Sequence, residues 1–328
     1  MTAIGVIGAG AWGTALAQAV ALNGHEVRLW ARDPALVDAI NATRENMAYL
    51  PGTELSPQIV ATSDLTWVAE AEFNLVVTPA QYMRSVLDDL SAHAQPLVLC
   101  SKGIEVGSLQ LMSEVAAEAH PRSPIAVLSG PTFAHEVAAG LPTAVTLACD
   151  DVVLGRRLAA RIARPAFRPY QSDDVIGAEI GGAVKNVLAI ACGVVDGAGL
   201  GQNARAALIA RGFAEMTRFG IARGARPETL AGLSGLGDLV LTCSSTSSRN
   251  FSLGVGLGQG RAARDLLAGR RTVAEGAATA PVLVEAARAL GVEMPIAEAV
   301  CALLAGEAEV GAVVERLLTR PLSAEHRR

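Results

Sequence analysis

The sequence has few aromatic residues, few charged residues and no concentration of positive charge. Aromatic residues make up 4% of its 328 positions and charged residues 18%, whereas hydrophobic residues make up 51%. This composition excludes an intrinsically disordered chain and predicts a folded protein long enough for two domains. The net charge is −5 and no run of lysine and arginine stands out, so no nucleic-acid partner is expected. An anionic substrate is still possible, because a pocket on an acidic protein can be locally positive.

The cysteines form neither a disulfide framework nor a zinc-binding pattern. Five are present, all far apart and without a C-x-x-C pair: Cys100, Cys149, Cys192, Cys243 and Cys301. We interpret them as small buried hydrophobic residues, and no metal is expected. A protein with unpaired cysteines is best suited to a reducing compartment, so we expect a cytoplasmic location.

The first 22 residues also lack a feature that a secretory leader needs. Residues 3–22 are uncharged and Ala17-Gln18-Ala19 resembles a cleavage site, but the first cationic side chain is Arg28. A leader begins with a positive region, and a spanning helix poorly tolerates the four glycines between Gly5 and Gly13. We therefore expect neither a leader nor a membrane span here.

A dinucleotide site explains more of this segment. Residues 3–7 read as a buried parallel strand, and residues 14–23 and 25–30 read as a helix and a second strand. Between the first strand and the helix stands the G-x-G-x-x-G pattern, formed by Gly8, Gly10 and Gly13 with Ala11 and Trp12 inside it. Its glycines serve the tight turn, the approach of a pyrophosphate and helix–strand packing, in that order. A second glycine-rich stretch, residues 254–260, follows no strand and is predicted to be structural.

The end of the second strand favours NADP(H). Sites for NAD usually place an acidic residue there to bind the ribose 2′-hydroxyl, but this strand ends at Trp30 and is followed by Ala31 and Arg32. Arg32 can bind a 2′-phosphate, so NADP(H) is favoured and NAD(H) remains possible. The alternative is that Arg32 is a solvated turn residue, with Asp33 and Pro34 starting the next helix.

Further strands are predicted at residues 73–77, 96–100, 125–128, 144–148 and 167–170. Ligands of open α/β sheets bind beyond the carboxyl ends of the strands, which gives weight to Lys102; the alternative is an ordinary surface lysine. The strand signal fades after residue 174. We therefore predict an α/β Rossmann domain over residues 1–174 and an all-helical domain over residues 175–328.

Lys185 lies in a helix, residues 176–195, that is apolar on nearly all faces. Burial of a lysine is costly unless its charge is paired or used, and it lowers the pKa toward the range that suits a general base. The alternative is that Lys185 extends to solvent or pairs with Glu179. Downstream, residues 244–248 form a hydroxyl-rich stretch that ends in Arg249 and Asn250. It is predicted to bind an oxyanion, unless it is a solvated linker.

These motifs together resemble the bacterial NAD(P)-dependent glycerol-3-phosphate dehydrogenases. The resemblance runs in order along nearly the whole chain, through residues 8–14, 101–105, 129–134, 182–186, 233–238, 248–250 and 273–276. It implies reduction of dihydroxyacetone phosphate to sn-glycerol 3-phosphate for phospholipid synthesis, with a nicotinamide cofactor, a Rossmann domain and a helical domain. It also implies a homodimer.

The resemblance assigns roles to individual positions. Lys185 matches the catalytic proton donor and acceptor. The substrate contacts correspond to Lys102, Gly130, Thr132, Lys185, Asp238, Ser248, Arg249 and Asn250. The cofactor contacts correspond to Trp12, Arg32, Lys102, Ala134, Arg249, Val273 and Glu275, beside the glycine loop.

Two other functions remain open. One is reduction of a different small keto acid, which would need a carboxylate-binding site in place of the hydroxyl-rich stretch. The other is a non-enzymatic NADP(H) sensor, which has no reason to keep a lysine in an apolar helix.

Overall fold

The computed structural model describes residues 3–90, 94–268 and 274–319. Within them, eight strands form one sheet in the order β3-β2-β1-β4-β5-β6-β7-β8, and only β7 runs antiparallel to its neighbour β6. The strands are β1 Ile4–Ile7, β2 Val27–Trp30, β3 Ile59–Thr62, β4 Asn74–Val76, β5 Leu97–Leu99, β6 Ile125–Ser129, β7 Thr143–Ala148 and β8 Phe167–Ser172.

Helices cover both faces of the sheet and make up the remainder of the described chain after β8. The first seven are α1 Ala11–Ala21, α2 Pro34–Thr43, α3 Leu65–Ala69, α4 Ala80–Asp88, α5 Met112–Ala119, α6 Ala134–Ala138 and α7 Val152–Ile162. The others are α8 Val175–Gly197, α9 Gln202–Ala222, α10 Pro227–Leu230, α11 Asp238–Cys243, α12 Arg249–Gly258, α13 Ala263–Leu267, α14 Glu275–Ala289, α15 Pro295–Ala305 and α16 Val310–Leu318. A π-helical turn, Leu233–Gly237, precedes α11.

The predicted fold class is confirmed, with two differences inside the sheet. β3 was not predicted, because it is only four residues long and lacks a long apolar run. Its side chains alternate between more buried and more exposed positions, and Val60 is exposed. The antiparallel pairing of β6 and β7 departs from a uniform series of parallel βα units. The connection that contains the short helix α6 stays at the carboxyl end of β6 instead of returning along the sheet to its other edge.

α8 is the central element of the helical region. It packs against α9, α11, α12, α14 and α15, and 20 of its 23 residues are buried. By length and composition it is the one helix of the described chain that could span a membrane. However, 94% of its apolar 18-residue stretch is buried inside the protein. The predicted buried helix is thus confirmed, and its burial on all sides explains its uniform apolarity.

Glycines allow α8 and α12 to cross with their backbones in contact. A methyl group on Gly254 would collide with the carbonyl oxygen of Ile190, and one on Gly193 would collide with the carbonyl oxygen of Phe251. The prediction that the second glycine-rich stretch is structural is therefore confirmed. The close crossing matters for function because α8 carries Lys185 and α12 begins at Arg249.

We expect Gly254→Ala to destabilise the protein. The added methyl group must separate two backbones, which costs about 1–3 kcal/mol, more than the helix propensity gained. Urea unfolding measures the loss. Gly311→Ala, in α16, is the control because a methyl group there meets nothing within 4 Å. Equal stability of the two variants would contradict this account of the crossing.

All five cysteines are free; four are buried and Cys301 is partly exposed. The expectation of unpaired, buried thiols is confirmed for the first four.

Candidate active site

A cavity of about 820 Å³ opens at the carboxyl ends of β1, β2, β4 and β5 and extends to the helical region. The strand order reverses between β1 and its neighbours β2 and β4, which is the switch point where open α/β sheets bind ligands. Most of the predicted site residues line this cavity: Gly8, Gly10, Ala11, Trp12, Gly13, Arg32, Lys102, Thr132, Ala134, Lys185, Ser248, Arg249, Asn250 and Glu275.

The glycine loop leaves room for a ligand at the start of α1. Gly10 is the N-cap residue, and a methyl group on it would meet no atom within 4 Å. Gly8 adopts a φ of 120°, and a methyl group on Gly13 would collide with the Gly8 carbonyl oxygen. The first amide N–H groups of α1 therefore face open space with the positive end of the helix dipole behind them.

The loop fits a dinucleotide pyrophosphate for these reasons. A second observation agrees with this assignment: the indole N–H of Trp12 is buried without a hydrogen-bond partner in the described part of the chain. At the far end, Arg32 is exposed beside Asp33 and Leu36, just beyond the end of β2. Its guanidinium forms no ion pair with any described residue, so it is available to a ligand.

The opposite end of the cavity contains a cluster of three charges. Lys185, on α8, donates a hydrogen bond from Nζ to Asp238 Oδ1 over 2.6 Å. Lys102, on the loop after β5, donates from Nζ to Asp238 Oδ2, also over 2.6 Å, and to the carbonyl oxygen of Gly130 over 3.3 Å. Two cations therefore share one carboxylate, and the cluster carries a net positive charge.

The environment of Lys185 lowers its pKa from 10.5 to about 8. Burial has the largest effect, because it disfavours the charged ammonium; the charge of Lys102 lowers the pKa further and the carboxylate of Asp238 opposes both effects. The lower pKa that the sequence predicts for a buried lysine is confirmed. An amine with this pKa can hold or release a proton near neutral pH.

Asp238 is the fixed centre of the cluster. Its side chain is 0% exposed, and its Oδ1 also accepts a hydrogen bond from the Thr242 hydroxyl over 3.2 Å. The same hydroxyl accepts from Lys185 over 2.9 Å. α11 presents both residues because positions four apart lie on one helix face. The cluster thus holds the Lys185 amine through two hydrogen bonds.

Arg249 lies at the start of α12, where a chain of amides ties three helices together. Asn250 donates from Nδ2 to Asn186 Oδ1, and its Oδ1 accepts from the backbone N–H of Gly276, each over 3.0 Å. The neighbouring Glu275 lines the cavity as well. Burial raises the pKa of its carboxyl group, while the positive charge of Arg249 opposes the rise. α8, α12 and α14 therefore present their polar side chains to the same space.

Two of the predicted site residues do not line the cavity. Gly130 and Asp238 stand behind the cavity wall, where both accept hydrogen bonds from Lys102. Val273 lies outside the described residues. The hydroxyl-rich stretch contributes only its end: Ser247 and Ser248 line the cavity, and the Ser248 hydroxyl accepts from the Phe251 N–H as the cap of α12.

The alternative pairing of Lys185 with Glu179 is wrong. Glu179 lies six positions earlier on α8 and faces α5 instead, where it accepts hydrogen bonds from the Ser113 N–H over 2.8 Å and from the Ser113 hydroxyl. Burial raises the pKa of this carboxyl group to about 7. A separation of six positions points to different faces of a helix, so the sequence already disfavoured that pair.

Sequence reasoning missed two residues of the site. Thr242 could have been found from its position four residues after Asp238, and Asn186 from its position next to Lys185. His135 lies on α6 at the cavity edge, where its side chain is 63% exposed and its Nε2 is 3.9 Å from Glu136 Oε1. Among the described residues, no group of three or more His, Cys, Asp or Glu side chains could hold a metal ion.

Comparison with protein families finds one match in each half of the chain. Residues 3–154 match the model of the NAD-dependent glycerol-3-phosphate dehydrogenase N-terminus, and residues 174–315 match that of the C-terminus. A glycerol-3-phosphate dehydrogenase [NAD(P)+] of Erythrobacter litoralis is 66% identical over 327 residues, 99% of each chain.

Solved structures agree with this match. The crystal structure of a glycerol-3-phosphate dehydrogenase from Coxiella burnetii has a TM-score of 0.93 at 39% identity, covering 97% of this chain and 99% of the other. A yeast glycerol-3-phosphate dehydrogenase has a TM-score of 0.82 at 30% identity, covering 96% and 98%.

Proposed function

Since this chain belongs to the NAD-dependent glycerol-3-phosphate dehydrogenase family, we propose that the three-charge cluster of Lys102, Lys185 and Asp238 is its catalytic centre. The reaction is the reversible reduction of dihydroxyacetone phosphate to sn-glycerol 3-phosphate with NADP(H) or NAD(H). The observation that carries the proposal is a buried amine with a pKa of about 8 at the end of a dinucleotide-sized cavity.

A nicotinamide cofactor, when bound, would supply a hydride for C2 of the ketone, so the protein must supply a proton to the oxygen on C2. Lys185 is the group for this step, because its ammonium form can polarise the carbonyl and then donate the proton. In the oxidative direction the neutral amine accepts the proton from the C2 hydroxyl. Asp238 and Thr242 hold the amine in place in both directions.

Lys102 adds electrostatic stabilisation. Its side chain is 14% exposed and binds the same carboxylate as Lys185, so the ammonium is partly desolvated at the cavity wall next to the proposed proton donor. Charges held in a water-poor site stabilise developing negative charge more strongly than charges in water do. Lys102 also keeps the pKa of Lys185 low, which brings proton exchange into the neutral range.

Arg249 is the proposed binding group for the substrate phosphate, together with Asn250, Thr132 and Ser248. A guanidinium can bind two phosphate oxygens at once and thereby fix the orientation of C2. For the cofactor, the glycine loop with Trp12 would hold the pyrophosphate and Arg32 the 2′-phosphate. The other proposed cofactor contacts also line the cavity: Ala134, Glu275, Lys102 and Arg249.

Substrate comparison tests this proposal against the keto-acid reductase. NADPH consumption is followed at equal concentrations of dihydroxyacetone phosphate, unphosphorylated dihydroxyacetone and pyruvate. We expect rapid consumption with the phosphate ester alone, because Arg249 and its neighbours recognise a phosphate. Preference for the keto acid would favour the rival function.

The pH dependence of turnover should follow the ionisation of Lys185. Its pKa of about 8 places the ammonium form below that pH and the amine above it. We therefore expect kcat/KM for dihydroxyacetone phosphate reduction to fall as the pH rises through about 8, and kcat/KM for glycerol 3-phosphate oxidation to rise over the same interval. Steady-state rates in both directions between pH 6 and pH 10 provide the test; parallel profiles would contradict it.

The choice of cofactor should depend on Arg32. We expect Arg32→Ala to lower kcat/KM for NADPH by about 10- to 100-fold while changing kcat/KM for NADH less than threefold, because only NADPH carries the 2′-phosphate. Arg44→Ala is unsuitable as a control, since Arg44 holds three backbone carbonyls. Arg205→Ala removes a partly exposed arginine that does not line the cavity, and it should change neither value. An equal loss with both cofactors would instead indicate a structural role for Arg32.

Three broader features belong to the same proposal. We place the domain boundary at residue 174, where β8 has ended and Asp174 caps α8. We assign the protein to the cytoplasm and to phospholipid synthesis, which its free thiols and its family support. We also propose a homodimer, which sedimentation would reveal as twice the chain mass of 33.7 kDa.

A further inference from the structure

We propose that Asp33 is a second determinant of cofactor choice and that its carboxylate acts against Arg32, favouring NAD(H) over NADP(H). The inference rests on the proposed function, since it concerns the cofactor end of the same cavity. Asp33 is not among the residues to which the sequence or the family resemblance assigned a role in binding.

The position of Asp33 is the first observation. It lies three residues beyond the end of β2 and lines the cavity together with Arg32 and Leu36. It also stands twenty positions after Gly13, the last glycine of the loop. This is the separation at which Rossmann domains that use NAD place the acidic residue that binds the ribose 2′-hydroxyl. The acid absent from the tip of the strand is therefore supplied by the turn that follows.

The second observation is that only one of its two carboxylate oxygens is engaged. Oδ1 accepts a hydrogen bond from the backbone N–H of Ala35 over 3.0 Å and caps α2. Oδ2 has no hydrogen bond or ion pair with any residue that the structure describes. The cap restricts the orientation of the side chain, so Oδ2 lies at the cavity edge in a fixed direction and can accept a hydrogen bond from a ligand.

Arg32 and Asp33 therefore offer opposite charges to the same end of the cavity. A carboxylate oxygen can accept a hydrogen bond from a ribose 2′-hydroxyl, but it repels a 2′-phosphate. A guanidinium attracts the phosphate and gains little from the hydroxyl. Neighbouring side chains of opposite charge would let one site use both cofactors, with the balance set by the two residues together.

Asp33→Asn tests the charge without removing the helix cap, because asparagine and aspartate are comparable N-cap residues. Dissociation constants for NADPH and NADH are measured by quenching of tryptophan fluorescence, since Trp12 and Trp30 both line the cavity. We expect the ratio of Kd for NADH to Kd for NADPH to increase about tenfold, which corresponds to about 1.4 kcal/mol. The ratio of kcat/KM for NADPH to kcat/KM for NADH should also increase.

Asp64→Asn is the matched control. Asp64 caps α3 by accepting from the Trp67 N–H over 3.1 Å, it is exposed, and it does not line the cavity. The control should leave the Kd ratio unchanged. The proposal is overturned if Asp33→Asn changes the ratio less than twofold, if it weakens both cofactors equally, or if Asp64→Asn shifts the ratio as much.

The binding measurement separates this inference from the proposed function. Both dissociation constants are obtained without dihydroxyacetone phosphate, so they report on Asp33 even if the protein fails to reduce that substrate. Failure of turnover by the unmodified protein would overturn the proposed function, whereas an unchanged Kd ratio in Asp33→Asn would overturn only the role of Asp33.

Discussion

Lys185→Ala should lower kcat for dihydroxyacetone phosphate reduction by about 1,000-fold, within the range of 100- to 10,000-fold that general acid–base catalysis contributes. Without the ammonium, the C2 oxygen has no proton donor in place, and Lys102 can supply only electrostatic stabilisation. The glycine loop and Arg32 are unchanged, so the Kd for NADPH should remain within twofold of its original value. Stopped-flow absorbance and fluorescence titration measure the two quantities.

The variant should remain folded, because Asp238 keeps its hydrogen bonds to Lys102 and Thr242. Arg205→Ala, which removes a cation from the ion pair with Asp196, is the matched control and should keep full activity. A Lys185→Ala protein with more than a tenth of the original kcat would contradict the catalytic role. If the unmodified protein also binds NADPH without turning over any substrate, the sensor function would gain support.

Asp238→Asn is expected to have the second large effect, on both stability and rate. It leaves two neighbouring ammonium groups without the carboxylate that both bind, and breaking a buried ion pair in this way typically costs about 3–5 kcal/mol. The loss should appear as a lower free energy of unfolding in urea. Asp196→Asn, on the exposed end of α8, should change it by less than about 0.5 kcal/mol.

The same substitution should shift the pH profile in a defined direction. Asp238 raises the pKa of Lys185 against the effects of burial and of Lys102, so its removal lets that pKa fall further below 8. Less of the ammonium form remains at neutral pH. The decline of kcat/KM for reduction should therefore move to lower pH, and an unchanged or higher midpoint would contradict the proposed arrangement.

The sequence predicts the first βαβ unit well because local patterns determine it. Gly8, Gly10 and Gly13 follow a short apolar run, and each is needed at its place by the turn, the ligand or the packing. α8 is equally evident, since an apolar helix of that length must be buried or span a membrane. β3 was not predicted because its four residues show no local strand pattern. Their extended conformation depends on parallel pairing with β2.

The charge cluster could not be derived from local patterns. Lys102, Lys185 and Asp238 come from three separate elements, and their meeting depends on the way the helical region packs against the sheet. The resemblance predicts Asp238 as a substrate contact, and the structure adds that its side chain is fully buried and binds both lysines. From the sequence alone, a carboxylate that holds other side chains in place cannot be distinguished from one that contacts the ligand.

Composition nevertheless contained one unused signal. Of the 27 cationic residues in the whole chain, only Lys102 and Lys185 are lysines, and the other 25 are arginines. Arginine cannot exchange a proton near neutral pH, whereas a buried lysine can. Both lysines lie in the cluster, which is where the proposed reaction needs an amine.

This composition makes the central claim directly measurable. Protein labelled with ¹³C at the lysine ε-carbon should give two lysine signals in an NMR titration, and Lys102→Arg assigns them. We expect the signal of Lys185 to titrate near pH 8, as its surroundings require. If instead both lysines titrate at or above about 10.4, the value for a solvated amine, then Lys185 is not the proton donor and acceptor proposed here.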